Sequence, residues 1–269
     1  MSKHTTHPSL LQSQVHVVLA GVGGSGSQML TGLARLHLAM KALGHPGGLL
    51  VQAYDPDNVS EANVGRQLFA YSDIGSNKAI VLVNRINLWY GLEWQAVPEP
   101  FRGEAPIGQP HLVDILVTCV DTARARREIH RAIVDRGHKT PGYWLDLGNR
   151  RQDGQVVLGE PVSGLSAYNT APFPADRKKQ KKQVVPMRLR TVVEMFPELL
   201  DPDIPEDNTP SCSLAESLGK QGLFINDHVS RWALMLLELL FRDGCIEHQG
   251  YMINLADGIV NPIPVPEAG

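Results

Sequence analysis

Val15-His16-Val17-Val18-Leu19-Ala20-Gly21-Val22-Gly23-Gly24-Ser25-Gly26 is the stretch from which the fold can be read. The apolar run reads as a buried strand, and the glycines after it as a tight turn into a helix. That helix is expected to reach about Ala42, with Gly44-His45-Pro46-Gly47-Gly48 as its stop. A second apolar run, Leu49-Leu50-Val51-Gln52-Ala53-Tyr54, ends at Asp55. Strand, glycine turn, helix, strand, acid is a nucleotide-binding layout. Amides at the helix start attract phosphate, and glycine lets the backbone come close to it. An acid ending the second strand can hold a ribose hydroxyl. The candidate contacts are therefore Gly21, Gly23, Gly24, Gly26 and Asp55. Glycine loops of this pattern also occur merely to pack a helix on a strand, so the residues that follow decide the matter.

Working outward, residues 1–14 are polar and read as a flexible tail. Asp73 is expected to cap a helix over Ile74–Tyr90, and Trp94–Val97 to form a strand. Leu112–Val120 has the continuous apolar character of a buried parallel strand ending at Asp121, followed by a helix over Thr122–Arg136. Gly142–Gly148 reads as a further strand, and Gly154–Glu160 as an antiparallel one. A basic run, Arg177–Lys182, sits in a loop-like region, and Ser213–Gln221 reads as a short helix. Asp227 is expected to cap a strongly amphipathic helix that stops at Gly244, and Cys245–Val265 to form a hairpin turning at Asp257-Gly258. Alternating strands and helices predict an α/β fold: a doubly wound, mostly parallel, Rossmann-like sheet with antiparallel C-terminal strands. Residues 15–150 form the expected nucleotide-binding half, and 151–269 the crossover loop, helices and antiparallel strands.

Composition narrows the function. The 269 residues are 43% hydrophobic and 20% charged, with a formal net charge of -3. Nothing in that balance favours nucleic acid or membrane binding. No apolar run has membrane-spanning length, and the N-terminus lacks a signal-peptide core. The three cysteines, Cys119, Cys212 and Cys245, are too scattered for a disulfide framework and contain no C-x-x-C zinc pair. A cytoplasmic address follows as the expectation.

Asp55, Asn63, Arg66, Gln67 and Lys78 fall within one strand-to-helix connection. A dehydrogenase has little use for so many charges there, whereas ATP chemistry does. Arg66 and Lys78 can neutralise the β- and γ-phosphates while pyrophosphate leaves. Asp121 can carry Mg²⁺, which takes one or two carboxylates plus phosphate oxygens. The alternative for Arg66 and Lys78 is a surface ion pair with Glu61 or Asp73.

These residues carry a resemblance. The glycine turn, Asp55-Pro56-Asp57-Asn58-Val59-Ser60-Glu61-Ala62-Asn63-Val64-Gly65-Arg66-Gln67, Lys78 and Cys119-Val120-Asp121-Thr122 look like the E1-like superfamily. That group includes the ThiF and MoeB adenylyltransferases and the ubiquitin-activating enzymes. The match covers about residues 15–150. The segments Pro210–Glu216 and Gln221–Asn226 further resemble the ThiF-family proteins of the bacterial PRTRC cassette. The resemblance implies that the C-terminal carboxylate of a small ubiquitin-like protein attacks ATP, giving an acyl-adenylate and pyrophosphate. It implies Asp55 on the ribose, Asn63, Arg66 and Lys78 on phosphates, Asp121 on Mg²⁺, and a homodimer. In several members a cysteine placed like Cys212 takes the acyl group as a thioester, and a helix start there would lower its pKa. Catalytic candidates are thus Arg66, Lys78, Asp121 and Cys212.

The chain departs from the family pattern in lacking the zinc-binding cysteine pairs. Its N-terminal segment also has no arginine to serve as a basic finger, only Lys3. Other readings use the same residues: a non-catalytic nucleotide-binding scaffold, ATP-dependent activation of a small molecule or tRNA base, and an NAD-linked oxidoreductase.

Overall fold

In the computed structural model, Val15–Ala20 is strand β2, preceded by β1 (His4–Thr5) and a short helix α1 (Pro8–Gln12). The structure describes residues 2–103, 113–134, 141–161, 188–201, 218–219 and 221–267. Helix α2 (Gly24–Ala42) leads from the glycine turn to β3 (Leu49–Tyr54). There follow α3 (Lys78–Tyr90), β4 (Gln95–Val97), β5 (Ile115–Thr118), α4 (Ala123–Val134), β6 (Tyr143–Asn149) and β7 (Asp153–Gly159). The order closes with α5 (Val192–Met195), α6 (Ile225–Arg242), β8 (Cys245–Ile246), β9 (His248–Asn254) and β10 (Ile259–Pro264).

Eight strands make one sheet in the order β10-β9-β7-β6-β5-β2-β3-β4. Neighbours from β4 to β6 are parallel, and those from β6 to β10 antiparallel. This is the doubly wound sheet with antiparallel C-terminal strands that the sequence predicts. Ala20 pairs with both Tyr54 and Thr118, and Thr118 pairs with Asp146. Strands β2, β3, β4 and β5 therefore end level at one rim, and β6 runs on beyond it to Asn149. The chain winds from β2 out to β4, then returns across β2 to lay down β5. The direction of winding reverses between β2 and β5, which opens a crevice at that rim.

Period-two alternation sends the strand side chains to two cores. Val17, Leu19, Ile115 and Val117 join α2, α3 and α6 on one face. Val18, Ala20, Leu116 and Trp144 join Ile129 and Ile133 of α4 and Val192 of α5 on the other. Leu236, Leu237 and Leu240 of α6 are fully buried, each worth about 1.5–3 kcal/mol of apolar transfer. Helices α2 and α6 approach closely because Gly32 leaves room: a Cβ there would lie 2.0 Å from Leu234 Cδ1. Strand β10 lies at one margin of the sheet and carries Pro262 and Pro264.

Three expectations are corrected. Residues 1–14 do not behave as a flexible tail, because β1 pairs with β8 and Leu10 is buried in the main core. Asp73 does not cap α3. It closes a 3-10 turn by accepting from Ala70 N and pairs with Arg85, while Gly75, at φ 87, breaks the chain before the Asn77 cap. Asp227 lies inside the first turn of α6, which starts at Ile225. The segments Arg177–Lys182 and Pro210–Glu216, including Cys212, and most of the Ser213–Gln221 helix fall outside the described residues.

Candidate active site

The crevice between the ends of β2 and β5 opens into a cavity of about 310 Å³. Its shape begins with backbone. Gly21 adopts φ 91, and a Cβ there would lie 2.9 Å from the Cys119 carbonyl, so the turn and the end of β5 need a glycine. Gly23 and Gly24 then bring the N-terminus of α2 to the cavity wall. The first amides of any helix lack intrahelical partners, which leaves this wall electropositive.

The structure brings Gly21, Gly23, Gly24, Asp55, Arg66, Gln67, Lys78 and Asp121 to this one cavity. Asp55, at the end of β3, is buried and braces the turn. One of its oxygens accepts from Val22 N at 2.6 Å, and the other from Asp57 N at 2.9 Å. Burial raises its carboxyl pKa, against the pull of Lys78 and those two donors. Lys78, the first residue of α3, is buried and points its Nζ to within 3.0 Å of the exposed Asp57 carboxylate. An ammonium has three donors, so this single contact leaves two available. Neither Glu61 nor Asp73, the surface partners considered from sequence, holds Lys78 or Arg66 in a recorded ion pair.

Arg66 is half-buried. Its Nη1 donates to Gln221 Oε1, while its Nε is buried without a partner. Burial lowers the guanidinium pKa, and Asp121 across the cavity opposes that shift; an arginine stays charged regardless. The neighbouring Gln67 Oε1 is likewise buried and unpartnered. Among the described residues these are the two buried side-chain polar atoms without a partner, and their residues both line this cavity. An unmade buried hydrogen bond is costly, so two together in a cavity indicate a polar ligand.

Two candidates are placed elsewhere. Gly26 is a packing glycine: a Cβ there would meet Gly21 O at 2.0 Å. Asn63 does not line the cavity; its Oδ1 accepts from Ser60 N and Ser60 Oγ, which shapes the loop that carries Arg66. Cys119 lines the cavity, but burial and then nearby Asp146 push its thiol pKa far up, so it stays protonated. Cys245 sits in the β8 ladder, away from the lining.

Sequence reasoning noted Gln221–Asn226 only as a resembling segment and gave no role to the amide cluster it forms with Asn149 in the cavity lining. Asn226, in the first turn of α6, is 1% exposed. Its Oδ1 accepts from Ser25 Oγ at 3.1 Å and Asn149 Nδ2 at 3.2 Å, and its Nδ2 donates to Gln221 Oε1 at 3.3 Å. The site is thus not confined to residues 15–150. Below it, Asp146 is fully buried, accepting from Thr118 Oγ1 at 2.6 Å and from Arg126 Nε at 3.1 Å. Arg126 also donates to Leu147 O at 2.9 Å, tying α4 to the end of β6 beneath the rim, while the Thr118 bond joins β5 to it.

A glycine turn at the switch point of a doubly wound sheet, with an antiparallel extension, defines a Rossmann-like α/β protein. Comparison with known proteins is more specific: the model of the ThiF family matches residues 9–223, and the chain belongs to that family. Among solved structures it is similar to PaaA at a TM-score of 0.51 and 14% identity, over 93% of this chain and 64% of that one. It is similar to Escherichia coli MccB at a TM-score of 0.57 and 13% identity, over 94% of this chain and 63% of that one. The chain therefore spans less than two thirds of the length of these structures, and at such identities the likeness concerns the fold. No curated protein matches it in sequence. No helix among the described residues is long and apolar enough to cross a membrane.

Proposed function

We propose that this protein is an ATP-dependent adenylyltransferase that activates the C-terminal carboxylate of a small ubiquitin-like protein. The observation that carries the reading is the pair of orphaned polar atoms, Arg66 Nε and Gln67 Oε1, lining one cavity with Lys78, Asp121 and the start of α2. Membership of the ThiF family supports it.

The chemistry asks little of the protein beyond position and charge. A terminal carboxylate is already ionised at neutral pH, so no base is needed. One of its oxygens forms a bond to the α-phosphorus of ATP. The bond from that phosphorus to the bridging oxygen breaks, and pyrophosphate leaves with the electron pair. Arg66 and Lys78 hold the negative charge that builds on the leaving group, and the α2 amides hold the phosphate chain. In this reading Asp55 holds the ribose. Magnesium, when bound, neutralises phosphate oxygens. Asp121, exposed on the cavity wall, is the carboxylate to hold it. The described residues contain no cluster of three or more metal-ligating side chains. That suits an ion held by one carboxylate and the phosphates themselves.

In this reading Cys212 receives the acyl group as a thioester, the protein acts in the cytoplasm as a homodimer, and PRTRC-cassette ThiF proteins are its functional kin. MccB has been solved together with MccA forms, which supports a separate substrate molecule for this fold. The test is ATP–pyrophosphate exchange with candidate ubiquitin-like proteins. Exchange that depends on the partner's free C-terminus is expected; tight ATP binding with no exchange for any partner would favour the scaffold. Cys212→Ala should keep exchange and lose the thioester, and a reducible adduct persisting in it would remove Cys212 from the pathway.

A further inference from the structure

We propose that Gln221 is a positioning residue that keeps the Arg66 guanidinium off Asp121, with Asn226 as its anchor; the inference rests on the adenylation reading above. Arg66 and Asp121 line the same cavity and carry opposite charges. Burial lowers the Arg66 pKa, and Asp121 pulls it upward. Direct pairing would let the cation meant for phosphate and the carboxylate meant for magnesium cancel each other. The structure instead gives Arg66 Nη1 a neutral acceptor, Gln221 Oε1.

The acceptor is held in its turn. The same Oε1 takes a second hydrogen bond from Asn226 Nδ2 at 3.3 Å, which fills both lone pairs of that oxygen. Asn226 is locked by Ser25 Oγ at 3.1 Å and Asn149 Nδ2 at 3.2 Å, so the starts of α2 and α6 and the end of β6 all fix it. Space is also used up: a Cβ on Gly24 would lie 2.5 Å from Asn226 Oδ1. A chain of neutral amides thus ends on a guanidinium, fixing its direction while leaving its charge and its Nε for a ligand. A carboxylate at position 221 would make the same hydrogen bond but neutralise the charge.

The test is calorimetric binding of ATP with magnesium to the full chain, in the wild type, Gln221→Glu and Gln221→Leu. Glutamate preserves size and acceptor but adds a negative charge to the cavity, so a merely structural role predicts the same loss with or without Arg66. The present assignment predicts roughly tenfold or more weaker binding in both variants, from the neutralised guanidinium in Gln221→Glu and from the lost hydrogen bond to it in Gln221→Leu. It also predicts a higher magnesium requirement in Gln221→Leu, where Arg66 is released toward Asp121. In an Arg66→Met background Gln221→Leu should change affinity by less than about twofold, and Gln221→Glu should cost clearly less than it does beside Arg66. If Gln221→Leu does not fold, Gln221→Glu decides. Wild-type affinity in Gln221→Glu overturns the assignment alone, whereas a wild-type chain that binds no ATP overturns the adenylation reading itself.

Discussion

Removing the cation under the site should cost more stability than removing a whole apolar side chain from a surface helix. In Arg126→Met the Asp146 carboxylate keeps its 0% exposure and its bond from Thr118, but loses both contacts from Arg126 Nε, at 3.1 and 3.2 Å. Leu147 O also loses its donor. A buried ion left without its partner costs about 3–5 kcal/mol. In a domain of this size that lowers the melting temperature by roughly 6–20 °C. The cost lies in the stranded charge more than in the lost contact. Arg126→Met/Asp146→Asn should therefore recover most of it, since asparagine is neutral and can still accept from Thr118. Urea unfolding of the two variants and the wild type measures this. A single variant within about 0.5 kcal/mol of wild type, or a double variant no better than the single, would refute the reasoning.

Asp121→Ala should reduce pyrophosphate exchange by at least about a hundredfold while shifting the melting temperature by no more than about 2 °C, because the side chain is exposed; unchanged exchange would take Asp121 out of the site. His4 gives a pH dependence. Burial lowers its pKa to about 4, with its Nε2 2.7 Å from Tyr143 OH. The unfolded chain then binds the proton more readily, so this contribution is lost as pH falls below about 6.5, at most about 2 kcal/mol between pH 7 and pH 5. His4→Gln should lack that component in urea titrations at the two pH values; parallel losses in both proteins would exclude it.

What was legible in the sequence is what is local. The glycine turn, Asp55 and Asp121 each follow closely on a strand end, which parallel strands bring to one rim automatically, and Arg66 and Lys78 stood out as charges in the single connection after β3. Gln221 and Asn226 carry no such signal. They are neutral, lie far along the chain, and meet Arg66 and Ser25 only because α6 packs beside α2. The polar N-terminus hid β1, whose partner strand lies some 240 residues later in the chain. Asp73 and Asp227 show the other weakness: a capping residue type near a helix start does not say which of several such residues closes it. Asp73 was claimed by Arg85 and Ala70, and Asp227 stood one turn too late.

Strand β10 has a consequence for how this molecule meets others. Pro262 and Pro264 remove two main-chain donors from this strand, and the register shifts between Ile263 and Pro264, so the row of donors along it is broken. An incoming extended segment would find that row interrupted, and fibrillar stacking through this border is discouraged for the same reason. Association along that border must rely on side-chain complementarity instead of on shared main-chain ladders.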